Sequence, residues 1–219
     1  MAGLVIFDMD GVLVDSETLA CTMLREQFAA IGIELSFAEV VRTFVGLSTK
    51  SSMEIYRDRF GMADPDAFHA RMREIWRRDF APKLKPMPHV DGVLAGLERP
   101  KCVASSTSIE GIALSLKATG LDRHFGAGVF SSQMVARGKP APDLFLFAAE
   151  RMGVRPQDAT VIEDSVPGIR AAKAAGMRVL AYAGGAHVDP AAQVSEGVEV
   201  FDDMRALPAL LEVRRAPVG

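Results

Sequence analysis

The stretch Leu4-Val5-Ile6-Phe7-Asp8-Met9-Asp10-Gly11 decides how this chain is read. Four apolar residues run straight into two carboxylates. A run this short and apolar at every position reads as a strand buried on both faces, which is how parallel sheets look. Ionised acids at a buried strand end are costly without a counter-charge. In strand geometry residues i and i+2 share a face, so Asp8 and Asp10 are expected to point into one crevice. Mg²⁺, which prefers carboxylate and carbonyl oxygens, is the natural partner for such a pair, and Gly11 permits a tight turn beside it. A bare D-x-D is a weak motif, and taken alone it reads equally well as an acidic loop without function.

The same pattern repeats downstream. Cys102-Val103-Ala104 ends in Ser105, Thr160-Val161-Ile162 ends in Glu163-Asp164, and the run from Arg178 to Tyr182 ends near Gly184-Gly185. Helical patterns separate these runs. One spans residues 109–119, with Thr107 and Glu110 in capping-box spacing and Gly120 as the stop. Others span residues 143–152, closed by Gly153, and 167–175, closed by Gly176. Strands alternating with helices imply βαβ units and an open, Rossmann-like α/β parallel sheet. Residues 17–86 differ: they carry helical periodicity and no convincing strand. They are expected to form an inserted helical domain, leaving residues 1–16 and 87–219 as the sheet domain.

Bulk properties narrow the possibilities. The chain has 219 residues, 49% hydrophobic and 24% charged, with a formal net charge of −3. No global positive field invites nucleic acid or anionic lipid. No apolar run approaches the roughly 20 residues of a spanning helix, and the N-terminus lacks the basic and long apolar regions of a signal peptide. Two cysteines in unlike contexts, Cys21 and Cys102, suit a reduced cytoplasmic protein. A monomer is the default expectation.

Further groups complement the first acid pair. Ser105-Ser106-Thr107-Ser108 lies where a strand gives way to a helix, a natural phosphate cradle, with Thr107 or Ser108 capping the helix and Ser105 the better phosphate contact. Lys139 sits in a proline-stiffened loop, Gly138-Lys139-Pro140-Ala141-Pro142-Asp143; a lone loop lysine is more often solvated surface. Glu163-Asp164 is a second acid pair at a strand end. All four groups fall at carboxyl ends of strands, where open parallel sheets bind ligands.

FDMDGVLVDSE (residues 7–17), Ser105-Ser106-Thr107, GKPAPD (138–143) and VIEDSVPGI (161–169) resemble, in order, the four motifs of the haloacid dehalogenase superfamily, nearest its β-phosphoglucomutase-like and sugar-phosphatase branch. The resemblance implies a Mg²⁺-dependent phosphatase of small phosphorylated metabolites with a helical cap. It implies Asp8 as nucleophile, Asp10 as acid and base, Ser105 and Ser106 as phosphate contacts, and Lys139 as charge-neutralising partner of Asp8. Asp8, Asp10 (through its carbonyl), Glu163 and Asp164 would hold the metal, and Glu17, Thr49 and Lys50 of the cap would meet substrate. Dehalogenases of the superfamily lack an acid at the position of Asp10, so its presence favours phosphoryl chemistry.

Two departures separate the chain from the β-phosphoglucomutases it resembles. Those carry a histidine where Ala20 stands, and an arginine after a Gly-x-Ser where Thr49 and Lys50 follow Gly46-Leu47-Ser48. A phosphatase of sugar or sugar-acid phosphates is therefore favoured over a mutase or a phosphoglycolate phosphatase. A non-catalytic binding module is the reading from outside enzymology. His69, His89, His124 and His187 lack metal-ligand spacing and are read as surface or loop residues; for His187, which follows a strand, the crevice rim is the lesser alternative to a plain loop. Trp76 and the cap arginines are read as cap core and solvated face.

Overall fold

The computed structural model describes residues 3–45 and 49–213. β1 (Leu4–Phe7) leads into α1 (Ser16–Ala29), α2 (Phe37–Phe44), α3 (Thr49–Asp58) and α4 (Pro65–Ile75). After a π-helical turn, Trp76–Phe80, come α5 (Val90–Gly96), β2 (Lys101–Ser105), α6 (Ile109–Thr119), β3 (Val129–Ser131) and α7 (Asp143–Arg151). The chain continues through β4 (Ala159–Glu163), α8 (Val166–Ala174), β5 (Arg178–Tyr182), α9 (Pro190–Ser195), β6 (Glu199–Phe201) and α10 (Leu207–Glu212). It divides into two compact units: Ser16–Leu84, and Met1–Asp15 with Lys85–Gly219.

In the second of these units all strands are parallel, in the order β3-β2-β1-β4-β5-β6. β1 is central and every one of its residues is fully buried, as its unbroken apolar run requires. The order reverses between β1 and β4, and at such a switch point the chain leaves a crevice at the carboxyl ends of the strands. β3 and β6, three residues each, were not expected from sequence: a run that short shows no periodicity. The glycine stops behave as read, Gly120, Gly153 and Gly176 all taking positive φ. The expected capping box at α6 does not form. Ser108, not Thr107, caps the helix, accepting from the Gly111 N–H at 3.2 Å.

Among its described residues the inserted unit has helices joined by turns and no strand. Its core centres on Phe28, fully buried, with ring centroids of Phe44, Tyr56, Phe60 and Phe68 at 4.8–5.8 Å. Ser36 and Glu39 form a reciprocal capping box at α2, and Asp64 with Pro65 opens α4. Trp76 packs on this core, stacked on Phe80, and Arg71, Arg73, Arg77 and Arg78 are exposed. Gly46, Leu47 and Ser48 lie outside the described residues, as do the side chains of Thr49 and Lys50.

The candidate active site at the strand ends

The backbone after β1 does not continue as a strand. The Met9 carbonyl accepts from the N–H groups of Leu13 at 2.9 Å and Val14 at 3.0 Å, winding Asp10 to Leu13 into a turn. Asp8 and Asp10 find different partners before and within that turn, yet they stay near enough for Asp10 to act on the Asp8 carboxyl. Asp8 faces Lys139, whose ammonium donates to Asp8 Oδ1 at 2.5 Å, to Glu163 Oε1 at 2.7 Å and to the Ala104 carbonyl at 3.2 Å. Lys139 is no solvated surface lysine: its side chain is 6% exposed, against 9% for Asp8 and 1% for Glu163. Its Nζ also stands 4.8 Å from the centroid of the Phe145 ring.

Asp10 turns to the end of β2. Its Oδ2 accepts from Thr107 Oγ1 at 2.8 Å and from Ser105 Oγ at 3.3 Å. Ser105, fully buried, in turn accepts from the Thr107 N–H. Ser131 and Ser132, at the end of β3, donate to the carbonyls of Thr107 and Ser106 and so fix this loop. Ser106 itself is exposed. Thr107, read from sequence as a possible helix cap, is instead the shorter of the two hydroxyl bonds on Asp10.

Glu163 and Asp164 follow β4. Both oxygens of Glu163 are engaged, Oε1 by Lys139 and Oε2 by the N–H and hydroxyl of Ser165. Asp164 Oδ2 lies 2.7 Å from His187 Nε2, and its backbone carbonyl accepts from Gln193 Nε2 at 2.7 Å. His187 is thus a correction: it is buried against the acid pair, whereas the surface or loop reading holds for exposed His89. The signal available in sequence was its place just after β5, the strand beside β4. Gln193 carried no such signal. Two glycines clear the room these acids need. A Cβ on Gly11, whose φ is +80°, would stand 2.0 Å from Asp164 Oδ2, and one on Gly168 would stand 1.7 Å from Glu163 Oε1.

Asp8, Glu163 and Asp164 each offer a carboxylate oxygen within 4.8 Å of the others. Burial pushes the Asp8 carboxyl well above the ordinary range; Lys139 pulls it down, while Glu163, Asp164 and Asp10 push it further up. One ammonium among three buried acids leaves negative charge uncompensated, and an all-oxygen donor set is what a hard divalent cation takes. The residues present therefore fit a metal ion. Neither thiol is poised for chemistry: Cys21 and Cys102 are buried and pushed up to about 12, chiefly by that burial.

A parallel sheet with acids after its two central strands, a lysine between them and a hydroxyl loop beside them marks the class: Rossmann-like α/β proteins whose ligand site lies at the carboxyl ends of the strands. The chain belongs to the haloacid dehalogenase-like hydrolase family, whose model matches residues 5–182. It is similar to the 6-phosphogluconate phosphatase of Escherichia coli (strain K12), 29% identical over 212 residues that cover 96% of this chain and 95% of that protein. A fructose-1-phosphate phosphatase of the same organism is 34% identical over 176 residues, covering 80% of this chain and 93% of that one. Among solved structures, a conserved haloacid dehalogenase-like protein of unknown function from Agrobacterium tumefaciens str. C58 superposes with a TM-score of 0.87 at 30% identity, covering 96% and 98% of the two chains.

Proposed function

We propose that this protein is a Mg²⁺-dependent phosphatase that hydrolyses small sugar or sugar-acid phosphates through an aspartyl phosphate on Asp8. The observation that carries the reading is Lys139, buried between Asp8 and Glu163 and bonded to both. A buried ammonium held on a carboxylate opposes the rise that burial imposes on it and, with a bound cation, offsets charge arriving on a phosphoryl group. An oxygen of Asp8 attacks phosphorus in line; the Asp8 O–P bond forms as the bond to the ester oxygen breaks. Asp10, held by Thr107 and Ser105, delivers a proton to the departing alkoxide, then takes one from the water that opens the acyl phosphate. Ser105 and Ser106 are the proposed contacts of the transferring oxygens.

Asp8, Asp164 and the Asp10 carbonyl would hold the metal, which when bound supplies positive charge to the phosphoryl oxygens. Glu163, with both oxygens engaged by Lys139 and Ser165, stands beside them and fixes the lysine. Glu17, Thr49 and Lys50 are proposed as cap contacts to substrate. The names of the two similar phosphatases support a sugar-type leaving group. Ala20 in place of the mutase histidine supports release to water over return to a sugar. No helix among the described residues is long and apolar enough to cross a membrane. A cytoplasmic monomer is the accompanying proposal.

The test is phosphate release from a panel of sugar phosphates, sugar-acid phosphates and phosphoglycolate, with Mg²⁺ or EDTA, beside Asp8→Asn. Turnover that needs the metal and vanishes in Asp8→Asn is expected. Conversion of glucose 1-phosphate to glucose 6-phosphate without release would replace the reading with a mutase. Silence in both assays would leave a binding module.

A further inference from the structure

The segment from the end of β5 through α9 grips Asp164 from two sides. His187 Nε2 lies 2.7 Å from Asp164 Oδ2, the two side chains being only 3% and 7% exposed. Gln193, 1% exposed, donates through Nε2 to the carbonyls of Asp164 at 2.7 Å and Tyr182 at 3.0 Å. A metal-bound carboxylate is ionised and only accepts, so with Asp164 as a ligand His187 would donate through Nε2. Space around the ring is reserved for it. A Cβ on Gly185 would stand 2.4 Å from its Cε1, and one on Gly11 would stand 2.8 Å from Cε1 and Nε2. A histidine and a glutamine with no part in the reaction are thus built, at the cost of two glycines, around one carboxylate.

We infer that His187 is a positioning residue for the metal site: its Nε2–H bond fixes the direction in which Asp164 presents its carboxylate, while Gln193 fixes the backbone beneath it. The inference rests on Asp164 being a metal ligand, as proposed above. Hydrogen bonds to a ligating carboxylate hold it in the binding rotamer before the ion arrives, and losing such a partner lowers metal affinity about 10- to 100-fold.

The experiment is an Mn²⁺ titration followed by electron paramagnetic resonance on wild type, Asp164→Asn, His187→Phe and His187→Gln, with thermal unfolding in EDTA beside it. Asp164→Asn is expected to lose binding; if it binds like wild type, the metal reading of Asp164 fails and the inference with it. His187→Phe fills the space without a donor and is expected to weaken Mn²⁺ by about 10- to 100-fold. His187→Gln, whose amide nitrogen reaches nearly as far as Nε2, is expected to recover most of that loss. Unchanged affinity in His187→Phe, or equal loss in Phe and Gln, would overturn the inference while the Asp164 result stands. Should His187→Phe not fold, His187→Asn, one methylene short of Asp164, replaces it with the same loss expected. Spin-echo modulation from a nitrogen bound directly to Mn²⁺ would also overturn it, making His187 a ligand.

Discussion

Asp8 and Asp10 stand two positions apart, yet their surroundings give them different properties. Burial leads the rise of the Asp8 carboxyl, so the folded protein holds that proton where the unfolded chain has released it. Its contribution to stability is therefore greatest at acid pH and falls as pH climbs from about 4 through the raised value. Urea midpoints of metal-free protein across that range are expected to fall with pH in wild type and to fall less in Asp8→Asn. Asp10 accepts from the hydroxyls of Thr107 and Ser105. Removing one of them in Thr107→Val is expected to lower kcat about 10- to 100-fold on alkyl phosphates. The loss should be smaller on p-nitrophenyl phosphate, whose phenolate leaves without a proton; an equal loss on both esters would detach Thr107 from proton delivery. The acids were legible in sequence because each follows a recognisable strand; Lys139, in a stiffened loop, read by itself as solvated surface and gained its role only from the resemblance. The roles of Thr107, His187 and Gln193 were not, because their partners lie 97, 23 and 29 residues away and only the folded sheet brings them together.

At the scale of elements, legibility followed length and punctuation. β1, β2, β4 and β5 announced themselves as apolar runs, and α6, α7 and α8 by the glycines that stop them. β3 and β6 are too short to show a period, although β3 supplies the serines that fix the Thr107 loop. The turn after β1 was announced by Gly11, which takes a positive φ there. The first turn of α8 also serves the site, since Gly168 lies against the Glu163 carboxylate. Gly168→Ala is expected to cost about 1–3 kcal/mol through overpacking and to dislodge Glu163. Gly92→Ala, in α5 with nothing within 4 Å of the added methyl, is expected to be neutral or mildly stabilising. Denaturant unfolding of the pair measures the difference; equal effects would remove the steric argument.

Every acid of the candidate metal site belongs to the unit formed by Met1–Asp15 and Lys85–Gly219. A protein in which Ser16–Leu84 is replaced by a short Gly-Ser linker is therefore expected to unfold cooperatively and to keep Mn²⁺ affinity within about tenfold of the intact chain. Circular dichroism and a metal titration would show it, and loss of either property would mean that the sheet unit depends on the insertion. The chain itself supplies the reason for the expectation. The Asp15 N–H donates to the Lys85 carbonyl at 3.0 Å, the Met87 N–H donates to the Leu13 carbonyl at 2.9 Å, and Val14 bridges Pro86 in antiparallel fashion. The outgoing and returning segments thus pass through a single doorway that the sheet unit holds shut by its own bonds. What hangs beyond such a doorway can be lengthened, shortened or exchanged over evolutionary time without rethreading a strand, while the acids at the strand ends keep the places the sheet gives them.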